Sequence, residues 1–156
     1  MTEETDQTPE VKAFLQRALE QDRRDAVRLD ENKTALFDRL AGSGIARMRV
    51  EFDGGGDSGQ IESIEAETAE GETADFPAQP LALRFDDRSD GDRNLIDHSP
   101  REAVEVLAYD CLGREHSGWE NNDGAYGTFV FDVATRSIRL QMNERITDSL
   151  FSEHEF

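Results

Sequence analysis

Two glycine-rich acidic loops hold most of the side chains whose type and spacing could do chemistry. The first, DGGGDSG, carries Asp53 and Asp57 and leads on to Glu62; the second, GWENNDGAYG, carries Glu120, Asn122 and Asp123. Such oxygen donors suit a hard cation, calcium or magnesium. Neither loop fits the EF-hand pattern. A start at Asp53 puts Ser58 where glycine is required and Ile64 where the bidentate glutamate is required, and a start at Glu120 puts Gly124 where an acid or asparagine belongs. Turn chemistry also accounts for the same residues, because Asp, Asn and Gly tolerate left-handed backbone and close turns. Zinc has no matching donor set: Cys111 is single and the histidines have no paired spacing.

Gly56-Asp57-Ser58-Gly59 resembles the segment around the nucleophile of chymotrypsin-like proteases, but the chain order is wrong. That arrangement needs histidine and aspartate upstream of the serine, whereas His98, His116 and His154 all lie downstream. The hydrolase elbow G-x-S-x-G fails as well, at Gln60. Carboxylate pairs for acid–base work arise everywhere in a chain with 35 acidic residues, so none stands out. Trp119 and Tyr126 bracket the second loop, and as large aromatics beside a turn both are expected to cap the core rather than line a groove.

The elements that must position these loops are legible from periodicity. Apolar residues from Val11 to Leu40 recur at helical spacing, with Pro9 suited to the first turn and Gly42 and Gly44 to the stop; a division into two helices is expected near Asp30. Met48, Val50 and Phe52 alternate with polar residues as in a half-buried strand, and a second strand around Ile61–Glu67 completes a hairpin over 45–67. Leu81–Phe85 is expected to form a short strand, and Asp86–Asp97 a polar turn region. Ser99-Pro100-Arg101-Glu102 reads as a capping box opening a helix over 99–116, ending near Gly113 or Gly118, with Val104, Leu107, Ala108 and Cys111 on one face. A second hairpin spans 127–144, with Phe129, Phe131, Ile138, Leu140 and Met142 pointing inward, and residues 145–156 are expected to add an edge strand. The class is α+β, an antiparallel sheet of two hairpins (four to five strands) with helices packed on one face. Residues 1–7 read as a disordered tail and 8–156 as a single domain.

Composition narrows the partners. The net charge is −18, from 35 acidic and 17 basic residues, which disfavours direct contact with nucleic acid or an anionic membrane. The densest basic stretch, Arg17–Arg28, is interleaved with Glu20, Asp22 and Asp25. From Asp53 to Leu83 there is no lysine or arginine. The N-terminus has neither the basic nor the apolar region of a signal peptide, no stretch approaches the ~20 apolar residues of a membrane span, and one cysteine fits a reducing compartment, so a cytoplasmic location is expected.

Four segments together (EFDGGGDSGQIE at 51–62, GWENNDGAYG with the hairpin after it, NER at Asn143–Arg145, and SEHEF at the end) resemble a bacterial domain-of-unknown-function family. The resemblance implies a small acidic protein of a kind often found on plasmids, phages and other mobile elements. The resemblance covers roughly residues 45–156 and implies no reaction. Were the shared positions a site, they would be Asp53, Asp57, Glu62, Trp119, Glu120, Asn122, Asp123, Asn143, Glu144 and His154.

Two functional expectations follow. The first is a non-enzymatic interaction or regulatory protein, a mobile-element accessory factor or DNA mimic, that engages a basic protein partner through Glu65, Glu67, Glu70, Glu72, Asp75 and Trp119. The second is a divalent-metal-dependent binding protein or hydrolase that uses Asp53, Asp57, Glu62, Glu120, Asn122 and Asp123 to hold calcium or magnesium.

Overall fold

A computed structural model of the chain describes residues 8–55, 58–85, 95–115, 123–146 and 149–156. Helix α1 (Pro9–Leu40) opens with Thr8, whose side chain accepts from the Val11 amide, and has proline in its first turn. It closes when the Ala41 amide donates to the Phe37 carbonyl and Gly42 turns to φ 78°. The expected break near Asp30 does not occur. No glycine or proline interrupts Glu10–Leu40, a mid-helix aspartate costs only about 0.5 kcal/mol, and buried Asn32, Leu36, Phe37 and Leu40 anchor the turns that follow.

Strands β1 (Arg47–Gly55) and β2 (Ser58–Glu67) form the first hairpin, and β5 (Ala125–Asp132) and β6 (Ser137–Glu144) the second. They join as one antiparallel sheet in the order β2-β1-β5-β6. A separate two-stranded ladder pairs β3 (Leu81–Arg84) with β4 (Leu95–His98). β4 lies partly in the segment expected to be polar turn. The described residues of the tail, 145–146 and 149–156, carry no strand, so the expected edge strand is not formed there. Helix α2 (Pro100–Glu115) starts as the capping box predicts, with Ser99 Oγ accepting from the Glu102 amide at 3.2 Å. It runs through Gly113; Gly118 lies outside the described residues.

One face of the sheet builds the core. Met48, Val50, Phe52, Phe129 and Phe131 pack under Leu36, Phe37 and Leu40 of α1 and under Val104, Leu107, Ala108 and Leu112 of α2. The other face of β1, at Arg49, Glu51 and Asp53, is exposed. Ile138, Leu140 and Met142 are only half-buried, because β6 is the edge of the sheet. The opposite edge is covered by α2: the Ile61 amide donates to Tyr109 Oη at 3.0 Å, and Arg101 donates to the Ile64 carbonyl. Burial pushes the Cys111 thiol up to about 11, with Asp110 beside it acting in the same direction.

The candidate functional site on the outer sheet face

The alternation that turns Phe52 inward turns Glu51 and Asp53 outward, and the pairing register brings side chains of four strands beside them. Glu51 lies between Ser63 and Thr128, and Asp53 between Gln60 and Tyr126. Gln141 and Asn143 complete the same two rows from β6. A β-bulge re-aims one more acid. Glu51 faces Ser63 and Phe52 faces Ile61, so Glu62 is the extra residue on β2. The result is a shallow groove of about 330 Å³ whose described lining includes Glu51, Asp53, Glu62, Tyr126, Gln141 and Asn143, with no lysine or arginine.

Each carboxylate has a hydrogen-bonding neighbour. Ser63 Oγ donates to Glu51 at 3.5 Å and Gln60 Nε2 to Glu62 at 3.1 Å. Asp53 receives Arg145, whose Nη2 lies 2.8 Å from Oδ1. The same guanidinium donates to the Gly54 carbonyl at 3.0 Å and sits 4.7 Å above the Tyr126 ring. Carboxylate, carbonyl and aromatic face together make a seat for a planar cation, and this one is filled from within the chain.

The two acidic loops emerge side by side at this end of the sheet. Gly54 pairs with Ala125, and the Arg145 amide donates to the Gly124 carbonyl at 2.8 Å. Gly124 has φ 81°, and a Cβ there would collide with the Gly54 carbonyl, so the approach of the two loops depends on glycine. The backbone carbonyl of Asp123 comes within 3.4 Å of where a Gly55 Cβ would stand.

Of the expected metal donors, Asp53 and Glu62 share the groove and Asp123 lies at the joint, while Asp57, Glu120 and Asn122 fall outside the described residues. Among the described residues no group of three His, Cys, Asp or Glu is placed to hold a metal ion. Of the expected partner-binding residues, Trp119 is outside the described residues. Glu65 faces Arg49 across the strand pair, and Glu67 meets Arg47 at 2.8 Å, a hydrogen bond that holds its carboxyl below the usual range. Glu70 and Glu72 belong to the turn closed by the Thr68 and Glu72 backbones at 2.8 Å, and Asp75 is exposed beyond it. The stretch from Asp53 to Asp75 is therefore less bare than its sequence suggests. Arg47 and Arg49 on β1 and Arg145 just past β6 supply the cations.

Tyr126 corrects another expectation. It is 45% exposed and lies on the outer face, not in the core. The signal was present in the sequence, since Tyr126 has the opposite parity to inward-facing Phe129 and Phe131. Glu51 was legible by the same rule; Arg145 was not, because its role depends on the register of β6. Of the other positions carried by the resemblance, Asn143 lines the groove, Glu144 borders a separate hollow with Glu115, Leu140 and Met142, and His154 is exposed in the tail near Phe156.

These features define an α+β protein with one face of its sheet closed by helices and the other presenting an acidic groove. Residues 28–156 match the Family of unknown function (DUF6878), and the chain belongs to that family. The match starts earlier than the motifs alone indicate and takes in the buried half of α1. No curated protein matches the chain, and no solved structure matches it. No helix among the described residues is long and apolar enough to cross a membrane.

Proposed function

We propose that this protein is a non-enzymatic regulatory module that binds a basic protein partner across the outer face of its sheet. The observation that carries this reading is the groove around Glu51, Asp53 and Glu62, which already seats one guanidinium on Asp53 and Tyr126. An arginine or lysine from a partner would meet the same chemistry at Glu51 and Glu62. Exposed Glu70, Glu72 and Asp75 extend the negative field past the β2 end of the sheet and would steer such a partner inward. In its finer form the protein is an accessory factor of a mobile element, acting in the cytoplasm, or a DNA mimic that occupies the nucleic-acid site of its partner.

An arginine-rich peptide titrated into the protein at low and high salt tests the reading. Binding that weakens with salt and drops at least about tenfold in Glu51→Gln/Glu62→Gln is expected. Equal binding by the wild type and this variant would retire the groove.

The closeness of Gly54 to Ala125 and of Gly55 to Asp123 favours a second reading, a calcium or magnesium site that draws on Asp53, Asp57, Glu62, Glu120, Asn122 and Asp123. Melting curves with EDTA and with each added ion decide it. A site loaded at a hundredfold excess over its dissociation constant adds about 2.7 kcal/mol, and an unchanged melting temperature with every ion retires it.

A further inference from the structure

The first half of α1 carries an apolar stripe that the fold leaves uncovered. Every residue from Thr8 to Glu20 is exposed, and within that stretch Val11, Phe14, Leu15 and Leu19 are 44, 63, 41 and 67% exposed. These four recur at the i, i+3, i+4 spacing of one helix face. Leu29, Leu36 and Leu40, which do pack on the core, continue the same stripe. The segment lies outside the family match, which begins at residue 28. Where α1 reaches the body, Arg114 of α2 contacts Asp22 at 3.5 Å.

We infer that this stripe is the dimer contact of the protein, formed by the same half-helix of a second copy packed antiparallel. Three observations select a second copy. The stripe is short and centred on Phe14–Leu15, so reversing one helix against another lays apolar on apolar along its whole length. Glu10 and Arg17 lie two turns apart on the same flank, so in the antiparallel pair each Glu10 comes within about 3 Å along the axis of the level of Arg17 in the other copy, a step these long side chains span. The charge also favours approach here: residues 9–24 hold four basic and three acidic side chains in a chain whose net charge is −18. Two copies meeting across the acidic groove would face like-charge repulsion, whereas this near-neutral half-helix adds little of its own. On the scale of ~150–250 Å² for a buried aromatic, the exposed stripe offers roughly 400 Å² per copy. That places the contact at the low end of specific interfaces, so the dimer is weak and depends on concentration.

Sedimentation equilibrium of the full chain over a wide concentration range tests this. A monomer–dimer equilibrium is expected, weakened at least about tenfold by Phe14→Glu/Leu19→Glu with an unchanged melting transition. Glu10→Arg and Arg17→Glu should each weaken it, and the double swap should restore it. A monomer at every concentration overturns the proposal, as when the chain's own exposed tail covers the stripe. So does a dimer indifferent to Phe14→Glu/Leu19→Glu, or a double swap that fails to rescue.

Discussion

The two halves of α1 share one apolar periodicity and have opposite fates. From Asn32 to Leu40 the stripe is sealed: Leu36 and Leu40 have no exposed surface, and Phe37 lies 6.5 Å from Phe131 across the core. From Val11 to Leu19 the same spacing faces solvent. Periodicity states which face of a helix is apolar; it does not state that anything covers that face. The buried half also does what a helix alone could not. Asn32, 2% exposed, accepts from the Arg84 amide at 2.7 Å and donates to the Arg84 carbonyl at 2.9 Å, fastening β3 to α1 as a ladder partner would.

Substitution should separate the halves sharply. Phe37→Ala is expected to lose about 3–5 kcal/mol in urea denaturation, since it opens a cavity between α1 and the sheet. Cys111, on the α2 face near Lys33 of α1, reports whether the buried half stays seated. With its folded-state pKa raised to about 11, alkylation at pH 8 should run roughly a hundredfold slower in the folded protein than in urea. The sign carries over to stability. Between about pH 9 and 11 the folded thiol keeps a proton that the unfolded chain loses, so stability falls as pH rises through that window. Cys111→Ser should flatten the fall, measured as melting temperature against pH.

Asn32→Ala leaves both Arg84 backbone groups without their partner and should lose about 1–3 kcal/mol. Phe14→Ala, in the exposed half, should change monomer stability by less than about 0.5 kcal/mol. Equal losses for Phe37→Ala and Phe14→Ala would erase the distinction between the halves. Hydrogen exchange sharpens it further: in dilute protein, amides of residues 12–20 should exchange much faster than those of 33–40.

Much of the frame was legible from residue spacing. Pro9, by its fixed φ, and Ser99-Pro100, by side-chain capping, mark helix starts through local effects that need nothing from the rest of the chain. The alternation of Met48, Val50, Phe52, Phe129 and Phe131 assigns the inner face of both hairpins. β4 was not legible. Its four residues, Leu95–His98, follow a polar run and pair with a strand whose nearest end is more than ten positions away. The half-burial of Ile138, Leu140 and Met142 was hidden for a related reason, since alternation does not tell an edge strand from a central one.

The candidate site divides in the same way. Sequence alone determined the capped start of α2, the alternation that assigns the inner face of both hairpins and the large excess of acid, because the first two depend on neighbours within a few positions and the third on composition. Only the tertiary structure decided which acids are compensated. Arg145 reaches Asp53 from 92 positions away, and Arg47 reaches Glu67 from 20, through strand register. Charge counted along a chain measures sequence neighbours, whereas electrostatic energy depends on distance through space, and folding rearranges which charges are near.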